Sequence, residues 1–114
     1  MSDTTQLLRN LPLFNGLNDR ELDELAKVAV PRTFDRGEVI FQEGTQGDVM
    51  YVIQDGRVLI KREHSGGRTI ALTEMGAGDI FGEFAVFDKE VRSATVECIE
   101  PTKVVALTAG DVGR

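Results

Sequence analysis

The stretch Val49-Met50-Tyr51-Val52-Ile53-Gln54-Asp55-Gly56-Arg57-Val58-Leu59-Ile60-Lys61-Arg62 places two runs rich in β-branched residues on either side of an Asp-Gly pair. Such runs read as strands, and Asp55-Gly56 supplies the positive φ angles of a two-residue type I′ turn, so the segment predicts a β-hairpin. The same pattern continues outward. Short β-rich runs punctuated by glycine cover residues 32–34, 38–42, 69–75, 80–81, 93–98 and 103–107, which with 49–54 and 57–63 make about eight strands. Ser65-Gly66-Gly67 marks a second, looser turn. Closely spaced strands with no helical period between most of them pair antiparallel, and in so short a chain a jelly roll or barrel best disposes of their edges.

Upstream of Pro31 the period changes. Residues 17–29 read as a helix with Asn18 as N-cap, Glu21 completing a capping box, and Leu17 and Leu22 as a hydrophobic staple. Leu22, Leu25, Ala26 and Ala29 form one apolar stripe, which predicts that the helix lies on a core, and Pro31 stops it. Residues 4–10 predict a shorter helix ending near Leu11-Pro12, with Leu13 and Phe14 tucked against the same surface.

A chain of 114 residues holds one core. The expected organisation is a single domain, 1–114, with a helical segment at 1–30, a barrel at 31–108 and the start of a further helix at 109–114. No apolar run approaches the ~20 residues that span a bilayer, and the polar start lacks the order of a signal peptide, so a cytoplasmic protein without membrane contact is expected. Cys98 is alone, which excludes an intrachain disulfide framework, and a buried strand position is its default. A single histidine, His64, cannot furnish a two-histidine metal site, so no metal is expected. A net charge of −6 opposes binding to nucleic acid by this chain.

Chemistry concentrates in Gly76-Ala77-Gly78-Asp79-Ile80-Phe81-Gly82-Glu83-Phe84-Ala85-Val86-Phe87, followed by Arg92-Ser93-Ala94. A short strand meets a glycine and then a brief apolar turn; such a junction leaves backbone N–H groups unpaired, and glycine lets a phosphate approach them. Arg92, nine positions after Glu83, offers a planar fork for two phosphate oxygens. Glu83 would repel a phosphate, so its natural partners are ligand hydroxyls such as those of a ribose. Together these describe a phosphorylated sugar of low charge. Gly76-Ala77-Gly78 is not a dinucleotide fingerprint, because Phe81 stands where a third glycine is needed.

These residues resemble the phosphate-binding cassette of cyclic-nucleotide-binding domains, here Phe81-Gly82-Glu83-Phe84-Ala85 and Arg92-Ser93-Ala94. The likeness extends to Phe34 through Phe41, Glu43-Gly44, Gly47-Asp48 and Met50 through Val58, and the opening Leu8 through Leu17 is similar to that of bacterial Crp/Fnr-type transcription regulators. The resemblance implies a mainly β fold: an eight-stranded antiparallel jelly-roll β-barrel (double-stranded β-helix) with short N-terminal helices and a short helix in the cassette. It implies no enzyme and no cofactor, but a ligand, cyclic AMP or a related cyclic nucleotide. Glu83 would bind the ribose, Arg92 the cyclic phosphate, and Gly82, Phe84, Ala85, Ser93 and Ala94 complete the site. Phe84 and Val91 depart from the usual Leu or Ile and Pro. It further implies a regulator whose dimerisation helix and DNA-binding domain are lacking here: a homodimer on DNA at full length, and mainly a monomer without direct DNA binding for this chain. The rival reading is a stand-alone module that regulates a separate partner, with a different ligand or none.

Overall fold

The structure, a computed structural model, describes residues 3–64, 66–82 and 91–108. Two helices, α1 (Asp3–Arg9) and α2 (Asp19–Val28), flank a single 3₁₀ turn at Pro12–Phe14. Eight strands follow among the described residues: β1 (Val30–Phe34), β2 (Val39–Phe41), β3 (Val49–Asp55), β4 (Arg57–His64), β5 (Arg68–Gly76), β6 (Ile80–Phe81), β7 (Thr95–Cys98) and β8 (Thr102–Thr108). They form two four-stranded antiparallel sheets, ordered β1-β8-β3-β6 and β2-β7-β4-β5, the jelly-roll arrangement expected from the sequence. The expected cassette helix and the segment 109–114 lie outside the described residues.

The unbroken apolar character of β3 and β8 follows from burial on both faces. Tyr51, Ile53, Val104 and Ala106 point between the sheets, where they pack with Phe34, Phe81, and Val58, Val96 and Cys98 of the second sheet. Met50, Val52 and Leu107 point the other way, against Leu8, Leu11, Phe14, Leu22 and Leu25 of the N-terminal segment. Register agrees with this division: Met50 pairs with Leu107 and Val52 with Val105, while Tyr51 pairs with Ala106 and Ile53 with Val104. Alternation along a strand thus serves two apolar clusters, one between the sheets and one beneath the helices, where the chain length alone predicts a single core.

The helix expected at 17–29 forms as α2, with the capping box in place: Glu21 N–H donates to Asn18 Oδ1 at 2.9 Å and Asn18 N–H to Glu21 Oε1 at 3.0 Å. Asn18→Ala removes the side-chain acceptor of that box. It should cost about 1 kcal/mol in urea unfolding, and a change within a few tenths of a kcal/mol would show that packing of Leu22 and Leu25 alone sets the helix start. The helix ends before Pro31, which itself enters β1. Among the described residues that strand is an edge of its sheet, a position where proline is tolerated.

Two expectations are corrected. Asp55-Gly56 does not close a hairpin, because β3 and β4 belong to different sheets. β3 already has β8 on one edge and β6 on the other, so β4 has no edge to join. Gly56 (φ +99°) instead turns a corner between sheets, pressed against Pro101 and Thr102. The genuine hairpin is β4–β5, with His64 opposite Arg68 across the Gly66-Gly67 turn. In the second correction, β7 begins at Thr95 rather than Ser93, since Arg92 spends its backbone groups on a neighbouring turn.

Candidate functional site

The site is built where β6 ends. Gly82 follows Phe81 with φ +84°, a conformation that glycine adopts without strain. Glu83, Phe84 and Ala85 lie outside the described residues. The chain is described again from Val91, and Arg92 returns directly beneath Gly82: its Nη1 donates to the Gly82 carbonyl at 3.3 Å and its Nη2 to the Val49 carbonyl at 2.7 Å. Ser93 is exposed and Ala94 buried, both preceding β7.

Arg92 is only 5% exposed. The guanidinium carbon sits 4.1 Å from the centroid of the Phe41 ring, a cation–π contact. Phe41 in turn lies 6.1 Å from Tyr51 and 5.8 Å from Phe81, whose rings stack at 5.2 Å, so the cation rests on an aromatic floor shared by both sheets. Its backbone is clamped by the turn at 42–47: Arg92 N–H donates to the Thr45 carbonyl and Gly44 N–H to the Arg92 carbonyl, each at 2.8 Å.

Burial lowers the Arg92 pKa from its ordinary value, with Tyr51 and Asp48 acting in the opposite sense. Among the described residues no carboxylate makes an ion pair with it, and its Nε is buried without a hydrogen-bond partner. A guanidinium remains protonated even so, which leaves a desolvated positive charge on an apolar floor. The chemistry such a group serves is the binding of an anion with oxygen acceptors, phosphate above all.

Sequence reasoning named Arg92 and Gly82 but missed what holds them. Neither Phe41 nor Gly47 stood among the expected site residues. A Cβ at Gly47 would stand 2.5 Å from Arg92 Nη2 and 2.7 Å from Nε, so this glycine makes room for the guanidinium. Gly47→Ala would push aside the flexible end of a side chain rather than backbone. It should weaken phosphate-ligand binding by about three- to tenfold in titration calorimetry while shifting the melting temperature by only a few degrees.

Set beside known proteins, the chain matches the cyclic nucleotide-binding domain model over residues 31–114. It is 34% identical over 104 residues to the Cyclic AMP receptor protein of Thermus thermophilus, covering 91% of this chain and 48% of that one. With a cyclic nucleotide-gated potassium channel of Rhizobium etli it shares 36% identity over 107 residues, covering 93% of this chain and 28% of the channel. Among solved structures, the N-terminal domain of a transcriptional regulator from Streptomyces coelicolor superposes with a TM-score of 0.85 at 36% identity, covering 92% of this chain and 73% of that one. This chain therefore spans about half or less of the length of these curated relatives. The two-sheet fold, the Gly82–Arg92 junction and these matches agree, and the chain belongs to the cyclic nucleotide-binding domain family.

Proposed function

We propose that this chain is the cyclic AMP sensor domain of a Crp/Fnr-like transcription regulator. The observation that carries the ligand reading is Arg92: a buried guanidinium on an aromatic floor, without a carboxylate partner among the described residues, beside a glycine with positive φ. In this reading Arg92 binds the cyclic phosphate and Glu83 the ribose hydroxyl. Gly82, Phe84, Ala85, Ser93 and Ala94 supply backbone and walls. The regulator assignment is supported by the Thermus thermophilus receptor and the Streptomyces coelicolor domain. With a net charge of −6 the domain acts on DNA only through further parts of a longer, dimeric protein in the cytoplasm.

Titration calorimetry with cyclic AMP, cyclic GMP, a cyclic dinucleotide and linear 5′-AMP tests the ligand. Saturable one-site binding of a cyclic mononucleotide, with cyclic AMP the tightest, is expected; no heat of binding at millimolar cyclic AMP would sink the reading. A second reading, a module gating a membrane channel, is favoured by the 36% identity to the Rhizobium etli protein. The flanking gene sequence separates the two: a long apolar-periodic helix and a helix-turn-helix mark the regulator, and apolar spans of ~20 residues mark the channel.

A further inference from the structure

Arg92 is held by a turn, and that turn has an anchor of its own. Residues 42–47 grip the Arg92 backbone through Gly44 and Thr45, and Glu43 N–H donates to Thr95 Oγ1 at 2.9 Å. The first two bonds join the turn to Arg92 itself, and the third joins it to Thr95, the first residue of β7.

The side chain of Glu43 makes a different connection. β7 begins at Thr95, opposite Lys61, so beyond that point β4 has no strand neighbour on this side among the described residues. There the Glu63 N–H donates to Glu43 Oε1 at 2.9 Å, and Arg62 Nε lies 3.8 Å from Oε2. The Arg62 contact is long and more than half exposed on the arginine side, so it contributes little. The bond to the Glu63 N–H is the one with geometry, and it ties the turn to the framework strand β4.

We infer that Glu43 is a positioning residue for the ligand site: its carboxylate fixes the 42–47 turn to β4 and thereby fixes Arg92 against Val49 and Gly82 without touching the ligand. This rests on the reading of Arg92 as the phosphate-binding residue. A bond that selects one placement of a buried cation acts on affinity through preorganisation.

The experiment compares Glu43→Ala with Glu43→Gln, whose side-chain oxygen still accepts from the Glu63 N–H. Two readouts are taken: the dissociation constant for cyclic AMP, and amide hydrogen exchange of Arg92 and Gly44 in the ligand-free protein. Glu43→Ala should bind about three- to tenfold more weakly and exchange both amides several-fold faster, with the β3 amides unchanged, while Glu43→Gln stays within about twofold of the parent on both counts. Should Glu43→Ala lose its cooperative thermal transition, Glu43→Asp, one methylene short of Glu63, replaces it and must show the same losses in part. Parent-like exchange of the two amides in the alanine variant, parent-like affinity in spite of faster exchange, or a glutamine variant as weak as alanine would each overturn the inference. If the parent itself fails to bind cyclic AMP, the ligand reading falls, and the exchange rates alone decide the role of Glu43.

Discussion

Arg92→Ala is expected to weaken cyclic AMP binding by about thirtyfold or more while leaving the domain folded. Truncating one partner of a desolvated, hydrogen-bonded charge pair costs about 2–5 kcal/mol, and tenfold in affinity corresponds to about 1.4 kcal/mol. The fold should survive because alanine keeps the N–H and C=O that pair with Thr45 and Gly44. What it loses are the donors to the Val49 and Gly82 carbonyls, a deficit of about 1–3 kcal/mol that a domain of ordinary stability tolerates. Arg92→Lys keeps a charge but not the planar fork over Phe41, so it should fall between the parent and alanine. Calorimetry on the three proteins, with thermal unfolding as a check on the fold, decides the matter. Affinity of the alanine variant within threefold of the parent would remove Arg92 from the site.

The largest effect on stability is expected at Gly56. In a two-residue hairpin an alanine with positive φ costs about 1–2 kcal/mol and meets no neighbour. Here the added Cβ would land on the Pro101 carbonyl oxygen, 2.6 Å from Thr102 Oγ1 and 2.7 Å from Thr102 Cα. Most of that obstacle is backbone, which no rotamer change relieves. Overpacking adds about 1–3 kcal/mol to the conformational cost, so Gly56→Ala should lose about 3 kcal/mol or more and roughly 10 °C or more in melting temperature. Gly66→Ala is the internal control: its φ is similar, +92°, but nothing lies within 4 Å of its Cβ position. It should lose only the conformational part. Equal losses in the two variants would show that the corner at Gly56 is not tightly packed.

The contrast between those two glycines also shows which parts of the fold were legible. Both Asp55-Gly56 and Ser65-Gly66-Gly67 announce a hairpin turn, but only the second turn joins two paired strands, β4 and β5, while the first is a corner between sheets. Whether the next strand pairs with the one before it depends on which edges are free, and for β3 both are taken by β6 and β8. No local composition records that. The capping box at Asn18 and Glu21, by contrast, is a contact between residues three apart, and it was readable in full.

At the site the division is the same. The chemistry of Arg92 and the freedom of Gly82 belong to their residue types, so sequence pointed to them. The carbonyl of Val49 belongs to no residue type, and Gly47 looks like any turn glycine. Phe41 reads as any apolar strand residue, and it does line the inner core, yet it also forms the floor beneath the cation. Each of these contacts joins segments some forty or more residues apart, which is why periodicity and spacing are silent about them. Glu83, Phe84 and Ala85 remain proposals resting on residue chemistry and family pattern.

The placement of the N-terminal helices has a kinetic consequence. Leu8, Leu22 and Leu25 bury themselves on Met50, Val52 and Leu107, and β1 pairs with β8, with Val30 opposite Ala106. Within the domain these segments are therefore made well before β8, which supplies Leu107 and the ladder for β1. Such high contact order slows folding and prolongs the exposure of apolar surface to other nascent chains. The capping box of α2 gives that early helix some local order during the wait, and its charged outer face, Asp19, Arg20, Asp23, Glu24 and Lys27, keeps it dispersed until β8 arrives.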